Sequence, residues 1–288
     1  MRGHWALLIT FTHIGNFELA LDHFEKALAL YDPAQHRDDS FLYALNPGVA
    51  MPCFAAWTLW FLGQPDQALV RIEEALSLAR ELYEPQGLAH AYFFASALYQ
   101  LRRDHLMAQH YAQAATDISR EHGLVLYEAM AMIMQGWTLN EQGRDQESLE
   151  QFQEGLTALD ATGTSLLRPH FLGLMAQAFS KVNQNENAIL LLEEAMTMVS
   201  NKGEGYFEAE LYRLKGEVLF KQHQAAAEEC FKQSMAIAES QNAKSLQLRT
   251  AMSLARLYNQ KTVLSQVYES FTEGFDTDDL REAKALLH

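Results

Sequence analysis

The chain of 288 residues has little cysteine, little proline and no long hydrophobic run. Its two cysteines, Cys53 and Cys230, are too few for a disulfide framework, which favours a reducing compartment. The longest apolar stretch, from Cys53 to Leu62, is too short to cross a bilayer. No small-residue cleavage site follows the short apolar run after Met1, so we expect no signal peptide. These absences predict a cytoplasmic protein without membrane contact.

Basic residues are also scarce. The chain has 22 Lys and Arg against 37 Asp and Glu, which gives a formal net charge of −15. Binding to a phosphate backbone depends on clustered Lys and Arg, so the charge balance argues against a nucleic-acid partner. A surplus of negative charge of this kind mainly keeps a protein soluble.

Motifs for catalysis and for cofactor binding are missing. The sequence contains no G-x-x-x-x-G-K-[ST] phosphate loop, no G-x-S-x-G turn and no H-E-x-x-H pair. His105 and His110 are five residues apart, and His4 and His13 are nine apart, so neither pair has the spacing of ligands on one helix face. We therefore expect no catalytic residue, no cofactor and no metal site.

The chain does contain a period of about forty residues. Small residues recur at successive steps of 40, 40, 40 and 39, and another small residue follows seven positions later in each unit. The recurring positions are Ala68, Ala108, Ser148, Ala188 and Ala227. Apolar residues are spaced three or four apart almost everywhere, and no segment alternates as a strand does. A fixed period of this size predicts an all-α solenoid, in which each unit buries its apolar face against its neighbours.

The first unit resembles a tetratricopeptide repeat. The residues that carry the resemblance are Gly15, Asn16, Phe17, Ala20, Phe24 and Ala27. The resemblance implies a right-handed superhelix of helix pairs, and we expect one domain over 1–288 with six to seven pairs and a closing helix over 277–287. Gly15, Gly63, Gly143 and Asn183 are expected to take the left-handed conformation at the turns within pairs.

The step between the first and second units is longer than the others. The additional residues fall in the segment Tyr31–Gly48, which is either a long connecting loop or an additional helical turn. Long loops in compact arrays are often functional. An inert elaboration on the outside is an equally good interpretation.

Five segments resemble the C-terminal tetratricopeptide-like region of large bacterial signalling proteins that carry a cyclase or kinase domain and a predicted signal-transduction ATPase domain. They are Tyr31–Arg37, Asn46–Val49, Ala56–Gly63, Glu208–Glu217 and Phe271–Thr277. The resemblance implies a binding or sensing arm whose partner is a protein, a peptide or its own upstream ATPase or cyclase domain. The chain itself contains neither of those domains, so it is a fragment or a stand-alone protein, and its start inside a repeat helix favours a fragment.

The carboxylate pairs Glu73–Glu74 and Glu193–Glu194 occupy the same position in their units. A polar pair at a fixed repeat position is typical of a solvated outer helix face, and we prefer that interpretation to acid–base chemistry.

In a tetratricopeptide array the first helix of each pair lines the inner groove. By that resemblance, we expect a binding groove formed by Trp57, Trp60, His90, Phe93, Gln100, Trp137, Asn140, His170, Gln177, Glu210, Arg213 and Glu217. Aromatic and amide groups on a rigid groove suit a peptide ligand. The tryptophans are equally well explained as core, and the spacing of Arg213 from Glu210 and Glu217 permits an intramolecular salt bridge.

The function that follows is a non-catalytic scaffold or sensor arm that binds a protein or peptide. The alternative is a regulatory domain that senses a small molecule in an aromatic-lined pocket. An enzyme with an unfamiliar site is a third hypothesis, since a fold alone does not exclude activity.

Overall fold

The computed structural model describes residues 1–36 and 44–288. Within these residues the chain forms fifteen α-helices and no β-strand. The helices are α1 (Arg2–Ile14), α2 (Phe17–Ala29), α3 (Pro47–Phe61), α4 (Pro65–Leu82), α5 (Pro85–Leu101), α6 (His105–His122), α7 (Val125–Glu141), α8 (Asp145–Ala161), α9 (Arg168–Lys181), α10 (Asn185–Lys202), α11 (Glu208–Leu219), α12 (Gln224–Ser240), α13 (Lys244–Tyr258), α14 (Lys261–Glu269) and α15 (Asp278–Leu287). The expected all-α repeat fold is confirmed.

Helices α1 to α14 form seven consecutive pairs, and short turns join the two helices of each pair. Gly15, Gly63 and Gly143 have φ angles of 81°, 80° and 74° at these turns, and Asn183 has 61°. The left-handed turns expected at these four residues are therefore confirmed. Arg103 takes the same conformation, with φ of 64°, at a turn whose sequence has no residue that favours it.

Small residues let the two helices of a pair approach closely. The side chain of Ser148 on α8 is completely buried, and its Oγ donates a 2.7 Å hydrogen bond to the carbonyl oxygen of Gly136 on α7. A Cβ atom added at Gly155 would lie 2.7 Å from Cγ1 of Ile133. Phe152 fills the space between the helices and is not exposed at all. This is the physical basis of the forty-residue period.

The first helices of successive pairs also contact one another. These contacts join α5 to α7, α9 to α11, α11 to α13 and α13 to the closing helix α15. Side chains on the inner side of neighbouring first helices are therefore brought together, which positions the candidate site.

Two compact units divide the chain. The first comprises 1–12, 18–60 and 67–166, and the second comprises 13–17, 61–66 and 167–288. The assignment of 1–288 to a single domain stays a prediction.

In the first unit, the described part of the Tyr31–Gly48 segment folds against the start of α3. Oδ1 of Asn46 accepts hydrogen bonds from the Gly48 amide at 2.8 Å and from the Tyr31 hydroxyl at 3.2 Å. Asn46 thereby caps the helix, whose first residue, Pro47, has no amide proton to satisfy. Residues 37–43, which belong to the predicted insertion, lie outside the described part of the chain.

In the second unit, two turns that are early in the sequence pack with the C-terminal helices. The rings of Phe17 and Phe61 stack at 4.6 Å, and Phe61 meets Tyr206 edge-on at 5.8 Å. The closing helix buries Leu280 and Ala283 in a cluster with α13 and α14. The closing helix covers Asp278–Leu287, so it begins one residue later than the expected 277–287.

Candidate functional site

All twelve residues predicted to line the groove lie on first helices. Ten of them are buried, whereas Gln177 and Glu217 are half-buried. The structure distributes them over five helices: Trp57 and Trp60 on α3; His90, Phe93 and Gln100 on α5; Trp137 and Asn140 on α7; His170 and Gln177 on α9; Glu210, Arg213 and Glu217 on α11. Their contact with a ligand stays a prediction.

In the first unit, the aromatic residues of α3 and α5 pack on one another. Trp57 is 1% exposed, and its Nε1 donates to the backbone oxygen of Phe94 at 3.3 Å. The Trp57 ring lies 4.4 Å from that of Phe94 and 6.2 Å from that of Phe93. Trp60 and Trp137 are buried as well. These side chains stabilise the first-helix layer from within.

His90 places a buried imidazole in this aromatic layer. Its Nδ1 lies 3.1 Å from the hydroxyl oxygen of Tyr127, and the two rings meet edge-on. Its Nε2 is buried and has no hydrogen-bond partner among the described residues. Burial lowers the pKa of His90 to about 3, because the charged form would lose its hydration. His90 is therefore neutral near pH 7.

The second unit repeats this arrangement eighty residues later. Nδ1 of His170 lies 3.1 Å from the hydroxyl oxygen of Tyr206, and the imidazole stacks on Phe207 at 4.0 Å. Burial lowers the pKa of His170 to about 3, and it raises the pKa of the Tyr206 hydroxyl well above its usual value. Both His–Tyr pairs are consequently uncharged.

In the second unit, Glu210 and Arg213 of α11 form a buried ion pair. Arg213 donates from Nε and Nη2 to the two carboxylate oxygens of Glu210 at 2.8 and 2.7 Å, which is a bidentate geometry. Nη1 of Arg213 lies 2.6 Å from Oε1 of Glu217. The intramolecular salt bridge that the spacing permits is thus present.

The ion pair extends to two further helices. Arg249 on α13 donates from Nε to Oδ2 of Asp279 on α15 at 2.9 Å, and its Nη1 lies 3.5 Å from Oε1 of Glu210. Ser253 donates to Oε1 of Glu217 at 2.7 Å. We call the set of Glu210, Arg213, Glu217, Arg249 and Asp279 the ion network. Sequence reasoning missed Arg249 and Asp279, because the only local signal, an acidic first turn in α15, also fits the helix dipole.

Opposite charges keep the buried members of the ion network ionised. Burial alone would raise the pKa of Glu210, but the charges and hydrogen bonds of Arg213, together with Arg249, outweigh it and lower this pKa to about 2. Burial alone would likewise lower the pKa of Arg213, whereas Glu210 and Glu217 raise it above its usual value. Three carboxylates and two guanidinium groups leave the network with one net negative charge.

Within residues 1–36 and 44–288, no group of three or more His, Cys, Asp or Glu side chains is placed to hold a metal ion. No helix in the same part of the chain is both long enough and apolar enough to span a membrane. The carboxylate pairs Glu73–Glu74 and Glu193–Glu194 are exposed on the second helices α4 and α10, as expected for an outer face.

No protein-family model matches the chain, and no curated protein is significantly similar to it. Among solved structures, the chain is similar to the Rap conjugation gene regulator of the plasmid pLS20, determined in complex with the Phr* peptide. The TM-score is 0.60 at 15% sequence identity, and the similarity covers 86% of this chain and 76% of the Rap chain. At this identity the likeness concerns the fold, and the function has to be argued from the site.

Proposed function

We propose that the chain is a non-catalytic scaffold that binds a protein or peptide through the first helices of its pairs. The observation that carries this proposal is that the Glu217 carboxylate, at the edge of the ion network, is both held in place and partly exposed to solvent. Arg213 and Ser253 hold its carboxylate, yet 36% of its side chain is exposed. The network therefore presents a fixed, solvent-accessible acceptor on a first helix.

A fixed acceptor suits recognition because its partner does not have to order it on binding. Immobilising a flexible side chain costs about 0.5–1.5 kcal/mol, and this cost is already met in the folded protein. A carboxylate has about four acceptor positions, of which Arg213 and Ser253 use two on Glu217. Together with the net negative charge of the network, this favours a partner that offers backbone N–H groups or a basic side chain.

The buried members of the ion network support the same proposal. A buried ion pair contributes little to stability compared with apolar residues of the same volume. A buried ion pair is better known for holding the surrounding side chains in one arrangement, and a binding surface requires such a fixed arrangement. The similar Rap regulator was solved with a peptide, so its fold accommodates such a ligand.

The binding test compares two carboxylates. Peptides selected by display on the immobilised 288-residue chain are titrated by fluorescence anisotropy against wild type, Glu217→Gln and Glu154→Gln. Glu154 is an exposed carboxylate on the second helix α8 and serves as the control. We expect saturable binding that Glu217→Gln weakens about tenfold, since a hydrogen bond to a charged group contributes about 1.5 kcal/mol or more. Absence of saturable binding, or equal weakening by both variants, contradicts the proposal.

We further propose that this scaffold acts as the sensor arm of a bacterial signalling ATPase or nucleotide cyclase, as the family resemblance implies. Two of the segments that carry the resemblance meet in the second unit, where a Cβ atom added at Gly63 would lie 3.1 Å from Cε1 of Phe271. The check is the coding sequence upstream in the same frame, which we expect to encode an ATPase or cyclase domain. An upstream frame without either domain contradicts this assignment and leaves the binding proposal standing.

A second candidate function is sensing of a small molecule, and one cleft in the first unit favours it. The cleft has a volume of about 410 Å³ and lies between Tyr31, Pro33 and Asn46 on one side and Leu78 and Leu82 of α4 on the other. Its volume falls in the range of small-molecule sites.

The cleft is tested by thermal-shift screening of metabolites against wild type and two tryptophan variants. Ala34→Trp adds bulk to the cleft lining, whereas Ala29→Trp places the same bulk on an exposed position that does not line the cleft. A metabolite that stabilises wild type and Ala29→Trp but not Ala34→Trp supports the sensor function. Equal stabilisation of all three places the ligand elsewhere and contradicts it.

A further inference from the structure

The first helix pair brings together two histidines that are 19 residues apart in the sequence. His4 lies on α1 and His23 on α2, and their Nδ1 atoms are 2.8 Å apart. Both side chains are half-buried, so the pair is accessible to small ions.

Packing fixes the pair in this position. The ring of Phe11 stacks on His23 at 5.4 Å with an interplanar angle of 4°, and the two imidazole rings lie 5.0 Å apart. The helices themselves are locked by Ala20 and Ala27, which are completely buried. The nitrogen atoms are therefore held by rigid elements, which is the requirement for a preorganised site.

The geometry points to a site for a divalent ion of the zinc, nickel and copper group, bound by Nδ1 of both His4 and His23. Two imidazole nitrogens on a tetrahedral ion at about 2.0–2.1 Å stand roughly 3.3 Å apart. The rings need to separate by only about half an ångström from their present 2.8 Å to reach that geometry. Imidazole is a preferred ligand of these ions. Without an ion, one Nδ1 atom carries the proton of the hydrogen bond and the other accepts it, so metal binding has to displace a single proton.

Water completes the coordination. Since no third His, Cys, Asp or Glu joins the pair among the described residues, the protein supplies two ligands and the ion keeps exchangeable positions. An open site of this kind binds reversibly and follows the order of affinity of divalent metals, with copper above nickel and zinc and with magnesium excluded.

The test is calorimetric titration of the untagged chain with ZnCl₂ and NiCl₂ at pH 7.5, with MgCl₂ as the negative control. We expect one zinc or nickel ion per chain and no heat of binding from magnesium. His23→Gln and His4→Gln are each expected to weaken zinc binding at least tenfold. His110→Gln, which removes an exposed histidine on α6, is expected to leave it unchanged.

Two outcomes overturn the site. The first is the absence of saturable zinc binding by the wild-type chain, and the second is zinc binding that survives in both His4→Gln and His23→Gln. Circular dichroism verifies that each variant is folded. If His23→Gln fails to fold, His4→Gln, in the first turn of α1, decides the result alone.

Discussion

The amide nitrogen of Gly274 donates a 3.0 Å hydrogen bond to the carboxylate of Asp66, 208 residues earlier in the sequence. The contact is reciprocal, because the amide of Asp66 donates to Oε1 of Glu273 at 2.9 Å. Both residues belong to the second unit, where the start of α4 meets the segment that leads into α15. In a simple solenoid each repeat contacts only its neighbours, so this pairing adds a long-range constraint.

Gly274 allows this contact, and Gly274→Ala should weaken it. Gly274 has φ of 75°, and a Cβ atom there would overlap the ring of Pro65. We expect a loss of about 1–3 kcal/mol in the free energy of unfolding, measured with urea. Gly143→Ala is the matched control, since Gly143 has φ of 74° with no atom within 4 Å of the added Cβ. Equal losses in the two variants would show that the Pro65 contact contributes nothing.

The two buried histidines predict that stability falls under mildly acidic conditions. An unfolded histidine titrates near pH 6.5, whereas the pKa values of folded His90 and His170 are about 3. Between these values the unfolded chain takes up protons that the folded chain does not, so stability is full above pH 6.5 and falls below it. The loss approaches about 1.4 kcal/mol per pH unit for each histidine, or about 2 kcal/mol each at pH 5.

Urea unfolding at pH 7.0 and pH 5.0 measures this loss. His90→Phe removes one of the groups and should reduce the difference between the two pH values, whereas His110→Gln should not. Glu210 does not contribute in this range, because its pKa is lowered and its stabilisation is lost only as the pH falls below about 4.5 towards 2. A pH dependence that is unchanged in His90→Phe would contradict the assignment.

The ion network predicts strong coupling between Arg213 and Glu210. Arg213→Met should cost about 3–5 kcal/mol of unfolding free energy, because it leaves the Glu210 carboxylate buried without its bidentate partner. The double variant Arg213→Met/Glu210→Met should lose less than the sum of the two single variants. Chemical unfolding of the four proteins gives the coupling energy directly. Additive losses would mean that the two side chains do not act as a pair.

The helix pairs and their turns are predictable from the sequence because they depend on local signals. Gly63 and Gly143 indicate left-handed turns, and Ser148 indicates a close helix approach, all within one forty-residue period. Arg103 was not predictable as a left-handed residue, because its residue type carries no such preference and the packing of the pair imposes the conformation.

The polar contacts of the candidate site were only partly predictable, because some lie within one helix and others join helices that are distant in the sequence. Glu210 and Arg213 lie one turn apart on one helix, so their pairing can be read from spacing. Arg249 reaches Asp279 only because α13 packs on α15, and no short-range pattern encodes that contact. Similarly, the tyrosine that contacts His90 is 37 residues away in the sequence, and the tyrosine that contacts His170 is 36 away. Neither separation equals the forty-residue period, so the period alone does not predict which tyrosine contacts each histidine.

The contact between Asp66 and Glu273 also has a consequence during synthesis. A ribosome that adds about 5–20 residues per second needs roughly 10–40 seconds to cover the 207 residues that separate the two. Throughout that interval the nascent turn at 61–66 lacks its final neighbours, and Phe61, which ends up fully buried, has to wait for Tyr206. The turn at 61–66 therefore completes its packing only after the segment that leads into α15 has been synthesised.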